Sequence, residues 1–160
     1  MERMKNTRKD DSLWKVSEPE TVFSSPVMEV LSSEVVCKRS GISRDFYRLN
    51  FTPWVNIVAV TADKDIVCIR QYRFGSGRIE LEIPGGAVEP GEDPLEAGIR
   101  ELKEETGYSG ENGRIIGKVC PNPAIQDNFC YTVLVENARK TDAQRPDDME
   151  DIEVFTLSPA

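Results

Sequence analysis

Short runs of alternating apolar and polar residues fill the first third of the chain and are typical of β-strands. They cover residues 21–30, 32–40 and 43–51, and Ser40-Gly41 predicts a turn before the last run. We expect these runs to form antiparallel strands outside the main core, as a separate N-terminal element that spans residues 1–50.

Longer apolar runs follow and predict a sheet with buried strands. Residues 54–62 and 66–72 are joined by Asp63-Lys64-Asp65, which is typical of a hairpin. Because strands and helices do not alternate regularly, we expect an α/β fold with a mixed sheet packed against helices, rather than a doubly wound sheet. The other predicted strands are residues 79–83, 114–120, 129–137 and 154–157, and the predicted loops are 110–113 and the polar, mobile segment 138–151.

One segment has the signals of a helix at both ends. Asp93 is a good N-cap, Pro94 suits the first helical position, and Glu96 completes a capping box. Gly107 is the residue expected just past the end of the helix. These signals predict a helix over residues 94–106, with Leu95, Ile99, Leu102 and Thr106 as its buried stripe.

Three carboxylates lie together on roughly the opposite side of this helix. Glu101, Glu104 and Glu105 are spaced i, i+3 and i+4, so they repel one another by a few tenths of a kcal/mol per pair. Oxygen ligands without histidine or thiolate suit a hard divalent cation, Mg²⁺ first and Mn²⁺ as a substitute. For the glutamates alone, a solvated acidic face remains an alternative. Arg100 is placed to pair with Glu96 or Glu104, and Gly85-Gly86 predicts a flexible turn that brings backbone atoms close to a ligand.

Composition and charge exclude several classes of function. The net charge of −8 argues against non-specific nucleic-acid binding, and the absence of histidine excludes Ser-His-Asp triads and histidine zinc sites. The four cysteines form no C-x-x-C pair and are expected as buried thiols. The N-terminus has no apolar signal region and the chain has no apolar run of about 20 residues, so we expect a cytoplasmic protein that does not enter a membrane.

The pattern Gly86-x5-Glu92-x7-Arg100-Glu101-Leu102-x-Glu104-Glu105-x-Gly107-Tyr108 resembles the Nudix box, with Tyr108 where an aliphatic residue is usual. The resemblance implies an α/β/α sandwich with a mixed sheet over residues 51–160. It also implies metal-dependent hydrolysis of a nucleoside diphosphate linked to another group, by attack of water on phosphorus. In that case Glu101 and Glu105 are the principal metal ligands, Glu104 assists, and the carbonyl of Gly85 completes the shell. Glu92 and Arg100 pair to hold loop and helix together, and Gly86 and Gly107 are structural.

A second resemblance, to the ADP-ribose pyrophosphatase branch of the family, rests on Pro123, fifteen residues after Tyr108. It implies hydrolysis of ADP-ribose or a related nucleoside diphosphate sugar to a nucleoside monophosphate and a sugar phosphate. It assigns Arg73 a contact with the diphosphate and Glu82 a place near substrate and metal. It also implies that Pro123 binds substrate and that Glu150 is the base. It also implies a homodimer in which the N-terminal strands contribute to the partner's substrate pocket. Ala124 departs from the branch, where glycine is common, so the choice of sugar and base stays open.

Several alternatives remain open from the sequence. Trp14 and Trp54 are candidates for stacking on the substrate's base, but they also fit ordinary core or interface positions. Arg73 or Arg70 could instead pair with a surface carboxylate. At the level of function, the alternatives are a non-catalytic nucleotide-binding module and an RNA 5′ pyrophosphohydrolase. Relatives tend to continue into a further helix, and a shortened chain and a chain without that helix are equally compatible with the sequence.

Overall fold

The computed structural model describes residues 13–147 and 149–159, which form two compact units. The first unit contains Met1–Phe51 and Asn122–Asp127, and the second contains Thr52–Pro121 and Asn128–Ala160. The units therefore divide the chain one residue later than the sequence suggested. The segment Asn122–Asp127 also belongs to the first unit, and no sequence pattern predicts this.

The first unit is an antiparallel sheet built around its longest strand, β3 (Met28–Cys37). One side of β3 pairs with β1 (Trp14–Val16) and β2 (Glu20–Ser24), and the other side pairs with β4 (Ser43–Phe51). The predicted turn lies at Gly41, whose φ of 70° favours glycine. The antiparallel N-terminal strands predicted from the alternating pattern are confirmed.

Segment 122–127 is fixed to β4 by two contacts. The amide of Leu49 donates to the carbonyl of Ile125 at 2.7 Å, and Nε of Arg48 lies 3.0 Å from Oδ2 of Asp127. Pro123 lies in the turn that begins this segment. Contacts within the first unit therefore determine the position of Pro123 in the fold.

The described residues of the second unit form a mixed sheet of seven strands. They are β5 (Trp54–Thr61), β6 (Ile66–Arg73), β7 (Arg78–Glu82), β8 (Gly85–Ala87), β9 (Tyr108–Val119), β10 (Cys130–Lys140) and β11 (Ile152–Leu157). The strand order is β11-β6-β5-β10-β9, with β7 paired to β6 and β8 to β5. The pair β5–β10 is parallel and the other pairs are antiparallel, which confirms the predicted mixed sheet.

The helix α1 (Pro94–Thr106) has the predicted bounds and packs on this sheet. The side chain of Asp93 accepts a hydrogen bond from the amide of Leu95, and Gly107 ends the helix with a φ of 73°. In the described part of the chain α1 is the one α-helix, so the helical layer seen there consists of α1 alone. No helix in those residues has the length and apolar character needed to cross a membrane.

The buried face of α1 differs from the predicted stripe. Leu102 and Thr106 are buried as expected, but Ile99 is 47% exposed, and Ala97 and Gly98 face the core instead. A Cβ on Gly98 would lie 2.9 Å from Cγ2 of Val133 on β10. Because Ala97 and Gly98 are small, the helix can lie close to the sheet at these residues. This close packing buries more of the apolar core.

Two predicted loops are strands. Gly85 and Gly86, expected as a turn, pair with Asn56 and Val55 as strand β8. Residues 110–113 also belong to β9, whose register with β10 shifts at three points. Polar and glycine residues here suggested a loop, but irregular pairing with β10 keeps them in the sheet.

Candidate active site

A cleft of about 510 Å³ lies in the second unit, beside α1 and β8. Its walls come from the strand β8, from the end of α1 that carries the three glutamates, and from the loop between β10 and β11. Six of the lining residues are acidic and two are arginines. The lining residues are Gly85, Gly86, Ala87, Glu89, Arg100, Glu101, Glu104, Glu105, Arg145, Asp147 and Glu150.

Glu105 is the most deeply buried acid of this cleft, with 3% of its surface exposed. The amide of Gly85 donates a hydrogen bond to its Oε2 at 2.9 Å. Burial, together with the nearby charges of Glu101 and Glu150, raises the pKa of Glu105 to about 8 against the lowering effect of that hydrogen bond. The carboxylate therefore needs positive charge close by to be ionised at neutral pH.

Glu101 lies against the strand β8. A Cβ on Gly86 would be 2.6 Å from Oε2 of Glu101, so only glycine leaves room for this carboxylate. Burial raises the pKa of Glu101 as well, although Arg100 opposes the shift. Gly86 therefore creates the space that this partly buried carboxylate occupies.

Arg100 connects the loop before α1 to the carboxylates of the helix. Its Nε and Nη2 bind both oxygens of Glu92 at 2.9 and 3.0 Å, and its Nη1 binds Glu101 at 2.9 Å and Glu104 at 3.0 Å. Nη2 also donates to the carbonyl of Ala87 at 3.2 Å. Hydrogen bonding to Arg100 lowers the pKa of Glu92 to about 2, so the predicted Glu92–Arg100 pair is present and fully charged at neutral pH.

The loop after β10 is fixed to the C-terminal turn of α1. The carbonyl of Glu105 accepts a hydrogen bond from Nε2 of Gln144 at 2.8 Å, and the carbonyl of Glu104 accepts from the amide of Arg145 at 2.8 Å. Nε2 of Gln144 also donates to the carbonyl of Ile152 at 3.1 Å. The segment predicted to be a mobile loop from residue 138 thus remains in β10 to Lys140, and its next residues cap the helix.

Glu150 lies in the same cleft as the helix glutamates. It is exposed, and its Oε2 accepts a hydrogen bond from the amide of Asp147 at 3.1 Å. Its charge contributes to the raised pKa values of both Glu101 and Glu105. The structure therefore brings the predicted base together with all four predicted metal ligands, Gly85 and the three helix glutamates.

The four predicted substrate-binding residues are not among the residues that line this cleft. Arg73 forms a bidentate ion pair with Glu82, at 2.8 Å from Nε and 2.7 Å from Nη2. Trp54 is partly buried in β5, where it pairs with Cys130 of β10 and Ala87 of β8, which fits a core position. Pro123 belongs to the first unit.

The sequence interpretation missed several residues of the cleft. Gln144 and Arg145 stand in a polar segment that carries no motif, and Glu89 and Asp147 were not distinguished from other surface acids. One signal was available, because Arg145 is the single cation in the acidic stretch 141–153. The contacts of Gln144 with two backbone carbonyls had no signal in the sequence.

The donor set fits a hard divalent cation. Burial raises the pKa of both Glu101 and Glu105, so a cation bound beside them would favour their ionised forms. The donors nearby are carboxylate and backbone oxygens, which Mg²⁺-type ions prefer. Within residues 13–147 and 149–159 the acids do not form a ready-made group of three metal ligands, because Glu101 and Glu104 are held by Arg100 and Glu105 by Gly85.

A mixed sheet with a helix packed on it, whose carboxylates lie beside a glycine-containing strand, is typical of hydrolases that act with bound metal ions. The model of the NUDIX domain matches residues 51–160, and the chain belongs to the Nudix family of hydrolases. Members of this family generally use divalent metal ions. The α/β assignment and the Nudix resemblance inferred from the sequence are thereby confirmed.

Individual relatives match over most of the chain. The "Methanol dehydrogenase activator" of Bacillus methanolicus is 29% identical over 146 residues, which cover 90% of this chain and 78% of that protein. The "ADP-ribose pyrophosphatase" of Bacillus subtilis (strain 168) is 29% identical over 140 residues, or 87% of this chain and 75% of that protein. A crystal structure of an "ADP compounds hydrolase" superimposes with a TM-score of 0.79 and 26% identity, over 91% of this chain and 78% of that one.

Proposed function

We propose that this chain hydrolyses the diphosphate bond of ADP-ribose or a related nucleoside diphosphate sugar, giving a nucleoside monophosphate and a sugar phosphate. The observation that carries the proposal is the meeting of the buried Glu105 and the partly buried Glu101 with Glu150 in one cleft. The similarity to proteins named ADP-ribose pyrophosphatase and ADP compounds hydrolase supports the class of substrate.

Glu101, Glu105 and Glu104, with the carbonyl of Gly85, would hold the metal, for which we propose Mg²⁺ with Mn²⁺ as a substitute. A bound divalent ion supplies neutralisation of diphosphate charge and a water of lowered pKa. Arg100 keeps two of these carboxylates in place through its contacts at 2.9 and 3.0 Å. Glu92 and the glycines Gly86 and Gly107 then act by setting the positions of loop, strand and helix.

Glu150 would accept the proton of the attacking water. An exposed carboxylate on a loop is a suitable base when it comes within hydrogen-bond reach of water in the substrate complex. Its electrostatic effect on Glu101 and Glu105 supports a place beside the metal site. We expect Glu150→Gln to lower kcat by about 10²- to 10⁴-fold, with a smaller change in KM.

Arg73, Glu82, Trp54 and Pro123 stay proposals for substrate binding. The pKa of Arg73 is raised first by hydrogen bonding to Glu82 and also by the charges of Glu105 and Glu150, which supports a place for Arg73 and Glu82 near the cleft. For Trp54, partial burial between its partner strands β8 and β10 favours a structural role. A cytoplasmic location remains a prediction from the sequence.

We also propose a homodimer in which residues 1–50 form the dimerisation element. Several large apolar side chains of the first unit are more than half exposed, among them Trp14, Val16 and Phe46. Their register against Cys37, Val35 and Ser33 of β3 places them on one face of the sheet. An exposed apolar face of this kind is typical of a protein interface.

The function is tested by a phosphate-release assay coupled to a phosphatase. The substrates are ADP-ribose, other nucleoside diphosphate sugars, dinucleotides and a 5′-triphosphorylated RNA, each with Mg²⁺ and then with chelator. We expect chelator-sensitive turnover of the sugar nucleotides and its collapse in Glu105→Gln. Turnover of the RNA alone would favour the RNA pyrophosphohydrolase, and silence across all substrates would favour the binding module.

A further inference from the structure

We infer that Arg145 binds the phosphate groups of the substrate in this cleft, an inference that rests on the proposed function. The cleft presents six acidic side chains to a diphosphate that is itself negative. A substrate of this charge needs a cation in addition to the metal, since like charges at close range repel strongly in a partly enclosed site. Two arginines line the cleft among the described residues, Arg100 and Arg145.

Arg100 has no donor left for substrate. A guanidinium has five N–H donors. In Arg100 they point to the two oxygens of Glu92, to Glu101, to Glu104 and to the carbonyl of Ala87, at 2.9 to 3.2 Å. Turning any of them to a phosphate would release a carboxylate that holds the site together.

Arg73, the arginine predicted from the sequence, is also engaged. Its Nε and Nη2 form a bidentate pair with Glu82, and hydrogen bonding to Glu82 raises the pKa of Arg73. This geometry is the one in which an arginine would otherwise bind two phosphate oxygens. Arg73 also lies outside the set of residues that line the cleft.

Arg145 differs from both in how it is held. Its backbone is fixed, because its amide donates to the carbonyl of Glu104 at 2.8 Å and the neighbouring Gln144 side chain binds the carbonyl of Glu105. Its side chain is exposed, and no carboxylate of the described residues lies within ion-pair distance of it. An arginine with an anchored backbone and available donors is preorganised to bind an anion without breaking an existing contact.

The position of Arg145 defines what it would contact. Its backbone contacts the last turn of α1, and it precedes Glu150 on the same loop. It therefore lines the cleft together with Glu104 and Glu150. We assign it to oxygens of the phosphate groups that flank the bond to be cleaved. Because a guanidinium fork spans two oxygens and an ammonium does not, Arg145→Lys should restore only part of the binding.

The test compares Arg145→Gln and Arg145→Lys with a control, Arg139→Gln. Arg139 is an exposed arginine of β10 that is paired with Glu111 at 3.8 Å and does not line the cleft. We expect Arg145→Gln to lower kcat/KM for ADP-ribose by about 10- to 100-fold, Arg145→Lys by less, and Arg139→Gln by no more than about twofold. Thermal melting should be the same for all three variants and the parent.

A binding experiment separates this inference from the proposed function. Calorimetric titration with AMP, ribose 5-phosphate and adenosine, in Mg²⁺, measures phosphate binding without any turnover. Weaker binding of either phosphate ester in Arg145→Gln, with adenosine unchanged, supports the contact even if ADP-ribose is not a substrate. Equal affinities of Arg145→Gln and Arg139→Gln for both phosphate esters would overturn it, whatever the outcome of the activity assay.

Discussion

Glu105 is a carboxylate in an environment that disfavours its charge. It is almost fully buried, and burial raises its pKa to about 8. An acid whose pKa is higher in the folded than in the unfolded protein binds a proton more tightly in the folded state. Its effect on the free energy of unfolding is therefore unfavourable above the unfolded pKa, and it grows as pH rises toward 8. The protein accepts this loss of stability at a position proposed to bind metal.

Glu105→Gln is expected to abolish turnover and to stabilise the metal-free protein. In chelator near pH 8, we expect its free energy of unfolding to exceed that of the parent by about 1–3 kcal/mol, because the buried charge is gone and the acceptor for Gly85 is kept. The gain should vanish below about pH 4.5, where the parent is protonated in both states. Urea denaturation across this pH range measures it, and a gain that does not depend on pH would contradict the explanation.

The close approach of the Glu101 carboxylate to Gly86 is a second feature at the level of single residues. Gly86→Ala places a methyl group where the carboxylate of Glu101 lies. We expect kcat to fall at least tenfold and the free energy of unfolding to drop by about 1–3 kcal/mol, as for other overpacked sites. Gly75→Ala is the matched control, since no atom lies within 4 Å of a Cβ there and its φ is not in the left-handed region. Equal behaviour of the two variants would show that Glu101 can move without loss.

At the level of elements, hydrogen bonds join the loop after β10 to the end of the helix α1. The last carbonyls of a helix lack partners within it. In α1 the carbonyls of Glu104 and Glu105 receive theirs from Arg145 and Gln144. The loop that carries the proposed base is therefore attached to the same residues that carry the proposed metal ligands.

Gln144→Ala should uncouple this loop from the helix. We expect a loss of about 1–2 kcal/mol in the free energy of unfolding, because two backbone carbonyls lose a donor, and a drop in kcat larger than the change in KM. Denaturant unfolding and steady-state kinetics measure the two effects. Lys140→Ala, at the exposed end of β10, serves as control. A variant with parental kcat would show that the loop keeps its position without Gln144.

The same elements show which patterns of sequence are reliable. The bounds of α1 were predicted correctly because Asp93, Pro94 and Gly107 act within one turn of the helix. Its buried face was predicted incorrectly at Ile99, since apolar periodicity cannot register how closely Ala97 and Gly98 approach the sheet. Strand β8 was missed because Gly85 and Gly86 have no strand propensity, and their strand exists only by pairing with β5.

At the scale of the whole molecule, the proposed dimer makes a prediction about mass. We expect light scattering after size exclusion to give about twice the chain mass of 18.0 kDa. Phe46→Asp, on the exposed face shared with Trp14 and Val16, should shift the mass to that of the monomer, because a charge in an apolar interface is costly. Ile116→Asp, an equally exposed position on β9, should leave the mass unchanged. A monomeric parent protein would reject the dimer outright.

The sequence by itself determined the family, the helix and the identity of the proposed metal ligands. These depend on residues close together in the chain, from Gly86 to Tyr108, where spacing alone fixes which side chains share a face. Tertiary structure decided which side chains are available for substrate. Arg100 and Arg73 have their donors engaged by carboxylates, while Arg145 is brought to the cleft by a loop that caps the helix. Such contacts join residues far apart in the chain, and only folding establishes them.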